Sequence, residues 1–147
     1  MSKHLIINPD EVLNFGKVYC ESRLLLDSKM AGEPCINVNH CTIPRGGCSG
    51  LLDKTTGKRV GAAHEKPEIY ICISGHGDLW LDDEKIDFTP GTLAYIRGGV
   101  RHYVKNLSET ETVCFLTFWP NEQDNDTWVN RKKAWGEGYE TRKMPKE

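Results

Sequence analysis

Residues 64–75 have the sequence HEKPEIYICISG and predict a β-strand that ends at a glycine turn. Isoleucine occupies every second position from 69 to 73, and this period of two in a β-branched run is typical of a strand. Pro67, just before the run, argues against a helix. Successive side chains of a strand point to opposite faces, so His64 and Glu68, four positions apart, share one face. The isoleucines are expected to pack against a second sheet.

A second segment, residues 90–106, has the sequence PGTLAYIRGGVRHYVKN and places His102 just after a glycine-rich turn. A small β-barrel brings two such segments together, which makes His64, Glu68 and His102 candidate ligands of one divalent metal ion. Two imidazoles and one carboxylate leave coordination positions open and suit Fe, Mn, Ni or Zn about equally. His40 is a candidate fourth ligand, because it shares its parity with apolar residues of the preceding strand and faces inward if they do.

The two segments resemble the paired motifs of the cupin superfamily, G-x5-H-x-H-x3,4-E-x6-G and G-x5-P-x-G-x2-H-x3-N. The positions that match are His64, Glu68 and Gly75 in the first motif and Gly91, Gly99, His102 and Asn106 in the second. Two positions depart from the pattern. Ala62 stands where the family has its first histidine, and Arg97 stands where it has a proline.

The resemblance implies an all-β fold, a cupin-type double-stranded β-helix or jelly-roll barrel with a short C-terminal helical or extended tail. Short apolar runs separated by turn residues at regular spacing are typical of such a barrel. We expect a single domain over residues 1–147, with the barrel core at about 18–119 and the tail at 120–147. Strands are predicted at 18–26, 35–44, 68–73, 78–81, 86–88, 93–96, 102–105 and 112–119, with a hairpin or loop at 51–60.

Residues 90–96, His102, Asn106 and the later Phe118-Trp119-Pro120 are also similar, more weakly, to cupin-type phosphoglucose isomerases. This similarity favours a sugar-like or hydroxycarbonyl substrate. The leading hypothesis is a metalloenzyme that isomerises or epimerises such a compound, with Tyr70 and Glu65 as candidate acid or base. An Fe(II)-dependent oxygenase with the same ligands and a non-catalytic ligand-binding barrel are the alternatives.

Composition narrows the range of partners. Nineteen Lys and Arg side chains against twenty-one Asp and Glu give a formal charge of −2, so no basic surface for nucleic acid is expected. No apolar run has the length needed to span a membrane. The N-terminus has no signal-peptide pattern and the six cysteines form no Cys-x-x-Cys pair, which favours reduced thiols and a cytoplasmic location. The expected partner is a small molecule.

A homodimer is also expected. Jelly-roll barrels have open sheet edges that need covering, and Trp119, Trp128 and Trp135 near the C-terminus are side chains that interfaces favour. The aromatic residues of the tail are expected to contribute to the dimer by packing on the barrel or on the partner.

Overall fold

The computed structural model describes residues 3–16 and 19–120. A 3₁₀ turn, Pro9–Glu11, and one short helix, α1 (Ser28–Ala31), accompany ten strands. The strands are β1 (Glu21–Leu26), β2 (Asn37–Ile43), β3 (Leu51–Leu52), β4 (Arg59–Val60), β5 (Glu68–Ser74), β6 (Gly77–Leu81), β7 (Glu84–Phe88), β8 (Leu93–Ile96), β9 (His102–Lys105) and β10 (Val113–Trp119). The all-β prediction is confirmed.

The strands form three antiparallel sheets. Five strands pair in the order β1-β2-β10-β5-β8, three pair in the order β7-β6-β9, and β3 and β4 form a small hairpin. Pairs of strands distant in sequence, such as β2 with β10, β5 with β10 and β6 with β9, form the sheets as in a jelly roll. The hydrophobic core contains buried residues of both larger sheets, among them Phe115 of β10, Phe88 of β7 and Val104 of β9. The larger sheets thus close over a common interior.

The predicted strands agree with the observed ones to within three residues at each end. β8 and β9 have the predicted bounds, and β5 is one residue longer. The helix α1 lies between the predicted strands 18–26 and 35–44. Its single turn is fixed locally, because the side chain of Asp27 accepts a hydrogen bond from the Met30 N–H and Gly32 ends it with φ +75°.

The expectation that the isoleucines of β5 face a second sheet is wrong. Tyr70 and Cys72 of the same strand are buried in the core, whereas Ile73 is 45% exposed and Ile69 and Ile71 line a groove on the outside. The predicted alternation of faces is correct, but the face that carries the isoleucines is the outer face of the barrel. Glu68 occupies alternate positions with Tyr70 and Cys72, so it lies on the inner face with them.

The outer groove is almost entirely apolar and has a volume of about 430 Å³. Leu93 and Tyr95 of β8 and Phe118 of β10 lie along it together with the isoleucines of β5. Leu93 and Tyr95 are more than half exposed. The five-stranded sheet therefore has an apolar outer face that the described residues leave partly exposed.

Candidate metal centre

Glu68 is the first residue of β5, and His102 is the first residue of β9 in the other large sheet. His64 lies four residues before Glu68, in the loop that leads into β5. One ring nitrogen of each histidine and one carboxylate oxygen lie within 4.8 Å of one another. The structure therefore brings together the three residues that the sequence singled out as ligands of one ion.

A single carboxylate oxygen forms the centre of the group. Glu68 Oε2 lies 3.0 Å from His64 Nε2 and 3.2 Å from His102 Nε2. The rings of the two histidines meet edge to face, with centroids 4.9 Å apart. His102 is almost fully buried and Glu68 is nearly so, with side-chain exposures of 5% and 12%, while His64 is 39% exposed. The group is open on the His64 side and closed on the other.

Backbone carbonyls orient both imidazole rings. The Nδ1 of His64 lies 2.7 Å from the carbonyl oxygen of Lys66, and the Nδ1 of His102 lies 2.9 Å from that of Val100. A carbonyl oxygen only accepts hydrogen bonds, so each Nδ1 carries a proton. In a neutral ring the lone pair is then on Nε2, the atom that faces Glu68. With both rings neutral, two imidazole lone pairs and a carboxylate oxygen would converge on one point. The arrangement therefore needs a positive charge there, either a proton on Nε2 that is donated to Glu68 Oε2 or a metal ion in its place.

The charge on Glu68 is favoured by its surroundings. Burial is the largest influence and raises the pKa of this carboxyl group, but the contacts with His102 and His64 more than offset it and the net pKa is lowered. Glu68 is therefore an anion at neutral pH, as a ligand must be.

A glycine turn ties the two ligand segments together. The N–H of Gly99 donates to the carbonyl oxygen of His64 at 2.8 Å, and Gly99 has a φ of +85° that favours glycine. A Cβ on Gly98 would lie 2.0 Å from the carbonyl oxygen of Glu65. The turn before His102 can thus approach the loop that carries His64 only because Gly98 has no side chain, while Gly99 supplies the positive φ of the turn. Sequence reasoning used Gly99 as a motif position but missed the close approach at Gly98, which no local pattern reveals.

The donor set fits a divalent transition-metal ion. Ligands at about 2.1 Å and at right angles around an ion are about 3.0 Å apart, close to the observed 3.0 and 3.2 Å between Nε2 and Oε2. Two imidazoles and one carboxylate occupy three positions and leave the others for water or a ligand. The two distances from Glu68 Oε2 to the imidazoles therefore fit a shared ion.

His40 does not join this group. The sequence argument placed it inward with Ile36 and Val38, but Ile36 is 53% exposed and the buried residues of β2 are those of the other parity, such as Cys41 and Ile43. The Nε2 of His40 lies 3.0 Å from the thiol sulfur of Cys114, on the outer face of the sheet. His40 does share a face with Ile36 and Val38, as predicted, but that face is the outer one.

The candidate acid and base differ in their placement. Tyr70 is buried, and its ring contacts that of His102 edge to face with centroids 5.6 Å apart. Burial, aided by the charge of Glu68, raises the pKa of Tyr70 well above its ordinary value, so its phenol keeps its proton at neutral pH. Glu65 is exposed in the loop beside His64, and its carboxylate is not among the converging ligand atoms.

Ala62 lies directly beside the site. It forms an isolated antiparallel bridge with His102, whose N–H donates to the Ala62 carbonyl oxygen at 3.1 Å. Directly opposed residues of an antiparallel pair present their side chains to the same face. The small side chain of Ala62 therefore leaves open the position next to the imidazole of His102.

The structure is thus an antiparallel jelly-roll barrel with a candidate two-histidine, one-carboxylate metal site. Residues 55–119 match the family model described as Cupin domain. Over this part of the chain, the resemblance inferred from the two motifs is confirmed.

Solved structures with the same fold carry different activities. A "predicted oxalate decarboxylase" from Thermotoga maritima is 16% identical with a TM-score of 0.62, covering 79% of this chain and 98% of its own. The polyketide cyclase RemF from Streptomyces resistomycificus is 19% identical with a TM-score of 0.62, covering 84% and 82%. A sugar phosphate isomerase of the cupin superfamily from Silicibacter pomeroyi is 19% identical with a TM-score of 0.61, covering 79% and 75%. At these identities the likeness shows the fold alone.

No curated protein sequence matches the chain significantly. Within residues 3–16 and 19–120, no helix has the length and apolar character that crossing a membrane requires.

Proposed function

We propose that this protein is a metal-dependent enzyme that isomerises or epimerises a small hydroxylated carbonyl compound. The observation that carries the proposal is the convergence of two Nε2 lone pairs and Glu68 Oε2, with both rings held in one tautomer by backbone carbonyls. The cupin domain supports a metal and a small-molecule ligand. The likeness to a sugar phosphate isomerase is compatible with the substrate class but is a likeness of fold.

His64, Glu68 and His102 would hold the ion, which would supply Lewis-acid polarisation of substrate oxygens when bound. His64 is the most exposed of the three, so the substrate approaches from its side. Tyr70 acts as a hydrogen-bond or proton donor, because its raised pKa keeps the phenol protonated. Glu65 lies at the open edge next to His64 and is the candidate base, since an exposed carboxylate can accept a proton and exchange it with water.

The test has two parts. Metal analysis of the purified full chain should find about one equivalent of a divalent transition metal. The metal-loaded protein should then exchange the hydrogen next to a carbonyl with deuterium in D₂O for at least one small hydroxycarbonyl, such as glyceraldehyde, above the rate of Glu65→Gln. A protein with one equivalent of metal and no exchange over a panel of such compounds would overturn the isomerase proposal and leave the metal site standing.

The same ligand set also suits an Fe(II)-dependent oxygenase, because it leaves several coordination positions open. Iron as the bound metal, with dioxygen consumption on addition of a substrate, would favour that function over isomerisation. A protein that binds no metal at all would favour a ligand-binding barrel without turnover.

We also propose that the protein works in a reducing compartment such as the cytoplasm. All six cysteines lie within the described residues and are free thiols.

We further propose that two copies of the chain form a homodimer through the outer groove of the five-stranded sheet. The groove is apolar and uncovered among the described residues, and surfaces of this kind are typical of interaction sites. The aromatic tail that was expected to contribute lies outside the described residues. Leu93→Lys, in the groove, should convert a dimer to a monomer in analytical ultracentrifugation. Leu107→Lys is the matched control, because Leu107 is similarly exposed but does not line the groove. A dimer unaffected by Leu93→Lys would contradict this interface.

A further inference from the structure

Besides His40 on its outer face, two side chains on the inner face of the five-stranded sheet have a buried polar atom without a hydrogen-bond partner. These atoms are Asn39 Oδ1 of β2 and Thr117 Oγ1 of β10. A buried polar atom without a partner is unfavourable, and most buried polar groups in folded proteins have one. Such an atom therefore indicates a hydrogen-bond partner from outside the protein, either water or a ligand.

Both side chains belong to one row on the inner face of the sheet. Thr117 is paired with Asn39 across β10 and β2, and with Tyr70 across β10 and β5. Leu24, paired with Asn39 on the other side, is 1% exposed. Paired residues share a face, so this row points into the barrel.

The row lies beside the candidate metal centre. Tyr70, at one end of it, contacts the ring of His102, and Glu68 is two residues before Tyr70 on the same face of β5. From the metal ligands inward, the wall of the barrel thus continues through Tyr70 to Thr117 and Asn39. The two unpartnered atoms are neighbours on that wall.

The chemistry of the pair selects its ligand. Asn39 Nδ2 donates to Ser22 Oγ at 3.2 Å, which leaves Oδ1 as an acceptor toward the interior. The hydroxyl of Thr117 both donates and accepts. A ligand hydroxyl can donate to the Asn39 oxygen and accept from Thr117, whereas a carboxylate or ketone oxygen would meet the lone pairs of the amide oxygen.

We propose that Asn39 and Thr117 form a hydroxyl-binding subsite inside the barrel, which selects ligands with a hydroxyl group at the end that enters deepest. The inference rests on the proposed function for the other end of the ligand, which the metal would bind. The subsite itself is a property of the barrel wall and remains measurable without metal.

The experiment compares ligand pairs that differ by one hydroxyl: lactate and propionate, malate and succinate, and ribose and 2-deoxyribose. Binding to the full chain is measured by calorimetry, both with Mn²⁺ and after metal removal. The variants are Thr117→Val, which removes the hydroxyl at nearly constant volume, Thr117→Ser, which keeps it, and Thr112→Val, the same change at an exposed position before β10.

For at least one pair, wild type and Thr112→Val should bind the hydroxylated member about 10-fold more tightly or better, because a site built to bond a hydroxyl rejects the analogue that lacks it. Thr117→Val should reduce the difference to less than about 2-fold, and Thr117→Ser should restore it. No discrimination in wild type, or discrimination that survives in Thr117→Val, would overturn the inference. Discrimination without metal uptake would uphold the subsite and reject the metal-dependent function.

The melting temperature of the ligand-free protein gives a second measurement. Thr117→Val removes an unpartnered buried hydroxyl, so its Tm should equal or exceed that of wild type. A clear decrease in Tm, with Thr112→Val unchanged, would mean that the protein or an ordered water already satisfies the hydroxyl, and would contradict the subsite.

Discussion

Two groups of side chains among the described residues have ligand atoms close enough to hold a metal ion. One is His64, Glu68 and His102, and the other is His76, Asp78 and Asp87. In both, the ligand atoms lie within 4.8 Å of one another. They differ in how the surrounding protein holds them.

In the first group the carboxylate and one imidazole are nearly buried, and a backbone carbonyl fixes each ring. In the second, His76 and Asp87 have side-chain exposures of 61% and 77% and approach only to 3.6 Å. Exposed ion pairs of that kind contribute little and are screened by salt. The comparison indicates that proximity of ligand atoms is not enough. A metal site also needs neighbouring groups, such as these backbone carbonyls, that hold the ligands in a fixed orientation.

The largest expected effect separates the two groups directly. His102→Ala should lower metal affinity by roughly 100-fold or more, because it leaves only two ligands and the affinity depends on each. His76→Ala, the control in the exposed group, should leave the bound metal per chain unchanged by elemental analysis. Equal metal content in wild type and His102→Ala would remove the distinction between the groups.

The glycine turn that supports the first group should be sensitive to a single methyl group. In Gly98→Ala the new Cβ would meet the backbone oxygen of Glu65, which cannot move as a side chain could. We expect a loss of about 1–3 kcal/mol in the free energy of unfolding, together with weaker metal binding.

Gly99→Ala serves as the control for that change. It meets no atom within 4 Å and has only the unfavourable φ of +85°. Its cost should be about 1–2 kcal/mol, with a smaller effect on metal affinity. Urea denaturation of both variants measures the two losses in the free energy of unfolding. A Gly98→Ala variant as stable as wild type would contradict the close approach to Glu65.

Ala62→His should add a ligand to the first group. The bridge with His102 presents position 62 to the same face, so an imidazole there can reach the ion. Metal affinity should rise by about 10-fold. An unchanged or lower affinity would indicate that water or another group already occupies that position. Ala63→His, at the next and oppositely directed position, is the control.

The smallest effect concerns acid stability of the metal-free protein. The contacts with His102 and His64 lower the pKa of Glu68 below its ordinary 4.5 although burial raises it. A carboxyl group whose pKa is lower in the folded than in the unfolded protein stabilises the folded state. This contribution is complete at pH values above the pKa in the unfolded protein and is lost as the pH falls through the pKa in the folded protein. Glu68→Gln should therefore flatten the dependence of the free energy of unfolding on pH below about 4.5. Parallel curves for wild type and Glu68→Gln would contradict the ion-pair contacts.

The strands and the three candidate ligands could be predicted from the sequence, because each produces a local pattern of residues. Alternation in β5 gave the strand, and the spacing of Glu68, Gly75 and His102 gave the motifs. Prediction failed where the answer depends on which face of a sheet is inside. The isoleucines of β5 were expected to be covered by a second sheet, and His40 was placed inward with its apolar neighbours. Both predictions fail because this barrel has an apolar outer face that the described residues leave partly exposed.

Other features have no signal in a single sequence. The carbonyl oxygens of Lys66 and Val100 that orient the rings are backbone groups, which any residue supplies. The pairing of Asn39 with Thr117 joins residues 78 positions apart through strand register, and register emerges only when the sheet is assembled.

The central claim is tested most directly by a crystal of the full chain grown with Mn²⁺ or Zn²⁺ and measured at the absorption edge of the metal. The account predicts one strong anomalous peak at about 2.0–2.3 Å from His64 Nε2, Glu68 Oε2 and His102 Nε2, and none of comparable height at His76, Asp78 and Asp87. A peak at the exposed group alone, or no peak between the two imidazoles, would contradict it.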